Sequence, residues 1–148
     1  MSTTTADTRR PRLGIVAGIA VAAALALNTL GVFTEDAIHW ANWLIVFGIV
    51  AVAAAVVFGW FVRRASGSAT KAWLTGLVLA VLGLLTVGAF WSGLPPIFAG
   101  AALYLGYVAF RHGVTTTARR AGIVTIVLGA LVLALDVVFY ATDIATRI

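Results

Sequence analysis

Between Ala72 and Phe110 the chain runs for 39 residues without a charged side chain. A hydrocarbon core about 30 Å thick takes roughly 20 apolar helical residues to cross, so this run is about two crossings long. Its middle reads Ser92-Gly93-Leu94-Pro95-Pro96, a cluster that breaks helices and makes turns. Three more uncharged runs of spanning length are Leu13 to Phe33, Trp40 to Val62, and Ala121 to Ala141, the last interrupted only by Asp136. The pattern predicts an all-α integral membrane protein with five transmembrane helices, at 13–33, 40–62, 72–91, 95–110 and 121–141. The fourth is short, with a re-entrant segment as its alternative. A basic, disordered tail (1–12) precedes the bundle and a short tail (142–148) follows it. Composition agrees: 62% of residues are hydrophobic and 10% charged, against roughly a quarter charged in a soluble domain. In water, so much apolar side chain would leave large exposed patches.

Loop charges set the orientation, because Lys and Arg are retained on the cytoplasmic side. Arg9, Arg10 and Arg12 precede the first span, Arg63, Arg64 and Lys71 lie between spans two and three, and Arg111, Arg119 and Arg120 lie between spans four and five. Nine of the ten basic residues thus share one side, which predicts a cytoplasmic N-terminus and an outer C-terminus. Trp40, Trp43, Trp91 and Tyr140 fall at outer span ends and Trp60, Trp73 and Tyr107 at inner ends, as interfacial anchors do. Tyr104 sits about a turn deeper. Arg9-Arg10-Pro11-Arg12 before an apolar run is similar to an export signal, but that run of about 21 residues is long for a signal core, so it reads as an uncleaved anchor. The expected location is the plasma (inner) membrane of a bacterium.

The first and last spans align. Arg12-Leu-Gly-Ile-Val matches Arg120-Ala-Gly-Ile-Val, Leu25-Ala26-Leu27-Asn28 falls on Leu133-Ala134-Leu135-Asp136, and eight of 17 positions are identical. Span three joins through Gly76 and Gly83, which match Gly122 and Gly129. Duplicated helical hairpins with a final half-unit would give this pattern. Small residues let membrane helices approach closely. Gly14, Gly18, Ala22 and Ala26 form such a stripe on span one, and Ala51, Ala55 and Gly59 on span two. They serve either packing within the bundle or a homo-oligomer or partner-subunit interface.

One ionisable side chain lies within a span, and such groups are functional candidates by default. Asp136 is roughly 22 Å along span five from its cytoplasmic end, counting about 1.5 Å per residue, and Asn28 has the same depth on span one. If these helices touch, the Asn28 amide can donate to the carboxyl group, with Thr29 or Tyr140 adding a hydroxyl. The site then reads as a polar clasp or as a proton- or cation-binding carboxylate. Glu35, Asp36 and His39 form a weak metal candidate at the start of span two, better read as a solvated loop cap.

Cysteine is absent, which removes disulfides and thiolate chemistry. No G-x-S-x-G, phosphate loop or H-E-x-x-H is present, and no enzymatic activity or cofactor is expected. The basic loops are long enough to meet anionic lipid headgroups and too short for a nucleic-acid domain. Size and span count are similar to those of the tryptophan-rich sensory, or translocator, family, but its W-x-P-P motif is missing, since Trp91 and Pro95-Pro96 have the wrong spacing. Small multidrug transporters have four spans and a carboxylate in the first, where this chain has Asn28. Neither family is assigned. Two functions remain: a noncatalytic accessory or membrane-organising subunit acting through helix–helix association, and a small oligomeric transporter or channel using Asp136 with Asn28.

Overall fold

The computed structural model describes residues 13–33 and 40–147, and these are almost entirely helical. Helix α1 is Leu13–Phe33. Helix α2, Trp40–Val56, runs on through a π-helical stretch, Val57–Val62, and a last α-turn, Arg63–Ala65. Helix α3, Ala69–Thr86, tightens into a 3-10 segment, Val87–Ser92, which bends at Ala89. Helices α4, Leu94–His112, and α5, Thr116–Arg147, complete the chain. Helices α2 to α5 are the four that are long and apolar enough to cross a membrane. The apolar stretch of α1, Leu13–Thr29, is shorter. Helix α4 is one continuous 19-residue helix and is among the four of spanning length.

The helix ends follow from local chemistry. Gly93 has φ 67°, in the left-handed region open to glycine, and a Cβ there would lie 2.6 Å from Val50 Cγ2 and 2.7 Å from Asn28 Nδ2. Both its conformation and its space therefore demand glycine. The Ser92 hydroxyl donates to Ala89 O (2.7 Å) and accepts from Leu94 N–H (3.3 Å), closing the α3–α4 turn. Pro95 and Pro96 then fall in the first turn of α4, where a missing N–H costs no helical bond. At the other end, Thr115 Oγ1 accepts from Ala118 N–H (3.2 Å) and caps α5. Capping starts α5 five residues before the apolar run at Ala121, and nothing helix-breaking stops it before Arg147.

Helix α4 is the hub. In its membrane window 61% of residues are buried, against 22% for α2, although α4 is the least hydropathic of the four. Six of its residues are alanine or glycine (Ala99, Gly100, Ala101, Ala102, Gly106 and Ala109), and close approach at small residues is how helices associate in lipid, where no hydrophobic force drives them together. Ala20 of α1 meets Gly100, and Gly76 and Gly83 of α3 meet Leu105 and Phe98. Gly122 and Gly129 of α5 meet Gly106 and Leu103. Helix α3 also meets α5 directly, Gly76 against Thr125 and Gly83 against Val132. These pairs make α3 and α5 parallel to each other and antiparallel to α4. The α2–α3 and α4–α5 loops consequently share one end of the bundle. Arg63, Arg64, Lys71, Arg111, Arg119 and Arg120 all collect at that end, where Arg64 Cζ lies 5.0 Å from the Trp60 ring centroid and Arg111 Cζ 5.9 Å from that of Tyr107. Such pairs suit a cation beside an aromatic anchor.

The contact between α4 and α5 is mutual and made by backbone. A Cβ at Gly122 would lie 2.7 Å from Gly106 O, and one at Gly106 would lie 2.8 Å from Gly122 O. Since the obstructing atoms are backbone, Gly122→Ala is expected to destabilise the bundle by about 1–3 kcal/mol. Gly18→Ala, with nothing within 4 Å of its Cβ position, is expected to change little. Thermal unfolding of the purified variants in micelles checks the contrast, and equal effects would contradict it.

Candidate functional site

Apart from Tyr104 and Tyr140, three polar side chains are buried among the described residues: Asn28, Thr125 and Asp136. Two are satisfied by their own helices. Asn28 Nδ2 donates to Ala24 O (2.9 Å), and Thr125 Oγ1 donates to Ala121 O (2.9 Å). Thr29 Oγ1 likewise donates to Leu25 O (2.7 Å). Asp136 differs: it is 0% exposed, and neither carboxyl oxygen has a hydrogen-bond partner.

The surroundings account for this. Pairing of Gly122 with Gly106 and of Gly129 with Leu103 fixes the antiparallel register of α5 on α4. Extended by two turns, that register brings Asp136 level with the first turn of α4. A helix N-terminus normally presents unpaired N–H groups to an anion. Here Pro95 and Pro96 carry none, and the Leu94 N–H is engaged by Ser92 Oγ. The neighbouring packing is apolar, with Val87, Ala99 and Val132 in one cluster. Tyr140, one turn further along α5, is buried on the same face.

The clasp expected between Asn28 and Asp136 is therefore not made, because the amide bonds to its own helix and abuts Gly93. The two residues approach the α3–α4 joint from two helices without bonding to each other. Chemically, an enclosed carboxyl such as Asp136 can exchange a proton or bind a cation. Toward the basic end of α5 the one buried polar side chain on the same helix is Thr125, whose hydroxyl is spent on its own backbone. Glu35, Asp36 and His39 lie outside the described residues, and no group of metal-ligating side chains occurs within them.

The small-residue stripes point outward. Gly14, Gly18, Ala22 and Ala26 are exposed, as are Ala51, Ala55 and Gly59, and nothing approaches the Cβ positions of the three glycines within 4 Å. Within the described residues these stripes do not pack on the bundle's own helices. Helix α1 instead buries Ala20, Ala24 and Asn28. Its small residues line more than one face, so either face could have turned inward, and the close approach to Gly100 selects Ala20.

Sequence reasoning missed an open apolar groove of about 950 Å³ between α2 and α3, walled by residues from Ile45 to Phe61 and from Leu74 to Leu82. Helix α2 packs on α1 and α4 and meets the α3 arm at its two ends, through the π-helical stretch and at Val87–Ser92, with the groove between. A second space of about 330 Å³ at the basic end is lined by Trp60, Arg64 and Lys71. The i, i+4 spacing of Trp60 and Arg64 was the available signal.

No known protein family, characterised protein or solved structure matches the chain.

An unpartnered buried carboxyl group costs stability. Asp136→Val is accordingly expected to raise the stability of the purified bundle by about 1 kcal/mol, read as a higher midpoint of thermal unfolding in micelles. A lower midpoint would show that the carboxyl group is bonded inside the fold.

Proposed function

We propose that the chain crosses the plasma (inner) membrane five times, with its N-terminus in the cytoplasm, and works as a noncatalytic accessory or membrane-organising subunit through helix–helix association. The observation that carries this reading is the division among its glycines. Those of α3 to α5 at helix crossings are filled by neighbours, whereas Gly14, Gly18 and Gly59 on α1 and α2 face outward with nothing against them. In lipid, an outward stripe of small residues is the surface on which a further helix packs. The fifth crossing is supported by the length of α1, whose 21 residues extend about 31 Å at 1.5 Å each, the thickness of the hydrocarbon core. The cytoplasmic placement is supported by the collection of basic residues at one end.

A second reading rests on Asp136, whose two unbonded oxygens suit a proton or cation site in a small oligomeric transporter. Proton flux in proteoliposomes separates the two readings. Under the association reading, wild type and Asp136→Asn give the same flux as empty vesicles, and a flux lost in Asp136→Asn would favour transport.

Association has its own test. Extracted in mild detergent, the wild type is expected at a mass greater than one chain, and Gly18→Leu with Ala22→Leu at the mass of one chain with an unchanged unfolding midpoint. Identical masses would sink the proposal. Because the chain has no cysteine, topology can be read by single-site labelling. Thr4→Cys and Gly67→Cys are expected to react only from the cytoplasm, and Thr146→Cys only from outside.

A further inference from the structure

We propose that the groove between α2 and α3 and the basic pocket at its end form one site for an anionic phospholipid of the bilayer. Its headgroup phosphate lies between Arg64 and Lys71, and an acyl chain lies along the groove. The inference rests on the membrane placement proposed above, though not on the association.

The two spaces are continuous, since Phe61, Leu74 and Thr75 line both. Their volumes of about 950 and 330 Å³ fall in the range of about 300–1,000 Å³ usual for small-ligand sites. From Ile45 to Phe61 the α2 wall is about 24 Å long at 1.5 Å per residue. Half of the hydrocarbon core is about 15 Å. A chain entering at the basic end thus stays in the groove through its own leaflet. Gly48 widens the wall, with nothing within 4 Å of its Cβ position.

Charge selects the headgroup. The Arg64 guanidinium is held over Trp60 at 5.0 Å, which leaves the edge of its planar fork oriented for a phosphate. Lys71 supplies a point charge from the opposite wall. Asp136 and Asp143, the acidic residues among those described, belong to the outer half and outer end of α5. No described carboxylate competes at the basic end.

A lipid chain fits this groove better than a partner helix does. Its walls carry Ile45, Ile49, Val52, Val78 and Leu82, branched side chains that hold backbones apart. The outward faces of α1 and α2 carry the glycine and alanine that a helix needs. The π-helical stretch Val57–Val62 lies where groove and pocket join, and such segments recur at functional sites.

Native mass spectrometry of the full chain in nonionic detergent, supplied with either phosphatidylglycerol or phosphatidylcholine, tests the site. The wild type is expected to retain one phosphatidylglycerol per chain in preference to phosphatidylcholine. Arg64→Gln with Lys71→Gln should weaken retention roughly 30-fold, at about fivefold per basic residue beside an anionic headgroup. Val52→Phe should weaken it with the charges intact. Arg119→Gln with Arg120→Gln, an equal loss of charge away from the groove, should leave it unchanged. Equal retention of the two lipids, or equal loss in the control pair, would overturn the proposal, as would displacement of the lipid by inorganic phosphate or by a bound polypeptide. Subunit mass appears in the same spectra, so failure of the lipid site and failure of association are read separately. Labelling of Gly67→Cys from outside would contradict the membrane placement alone.

Discussion

Where α4 and α5 cross, backbone rests on backbone: the carbonyl oxygens of Gly106 and Gly122 each occupy the place of the other's absent Cβ. In water, such a contact would be a detail within a larger hydrophobic core. In hydrocarbon the surrounding lipid is as apolar as the helix, so what holds helices together is mainly how closely their surfaces fit. Helix α4 provides this fit on three sides, to α5 at Gly106, to α3 at Leu105 and Phe98, and to α1 at Gly100. Its lower hydropathy has another source, the prolines and tyrosines Pro95, Pro96, Tyr104 and Tyr107 and the basic residues Arg111 and His112 at its end.

That contact also sets what happens at each end of the bundle. One end gathers six basic residues. At the other, the register carries Asp136 to the first turn of α4, whose two prolines withdraw the N–H groups an anion would seek. Asp136 is thus isolated by the device that lets α4 start sharply after Gly93. The same small-residue fit leaves α2 at the margin. Attached to α1 and α4, α2 stands off from α3 and opens the groove between them.

Much of this was legible in the sequence, and the limits have identifiable causes. The helices follow from uncharged run lengths and from the Ser92–Pro96 turn. Aligning Gly76 and Gly83 with Gly122 and Gly129 singled out four glycines that all stand at helix contacts. The same alignment failed for Gly14, which matches Gly122 in sequence but has no neighbour. A helix that is apolar all round gives no periodic signal for which face turns inward, and on α1 Gly18 and Ala20 are nearly equivalent in size. Asp136 was visible as the lone intramembrane carboxyl group. Its pairing with Asn28 was not readable, because equal depth on two helices says nothing about what stands between them. The π-helical stretch has no marker in Val57–Val62 beyond Gly59.

Side-chain size sorts the outward surface into regions with different partners. Where Gly14, Gly18, Ala22 and Ala26 face out, a lipid chain gains little, since a flat backbone offers it no channel, and a second helix gains much. Where Ile45, Ile49, Val78 and Leu82 stand in two facing rows, a rigid helix is held off and a flexible chain can lie between them. The basic residues extend this division to one end of the bundle, because Arg64 and Lys71 line the space that adjoins the groove between α2 and α3. The two kinds of surface are set by side-chain size alone, and both lie outside a nearly featureless interior. On that argument the chemistry of this chain lies on its outer surface, and Asp136 is the one buried group for which a separate role must be sought.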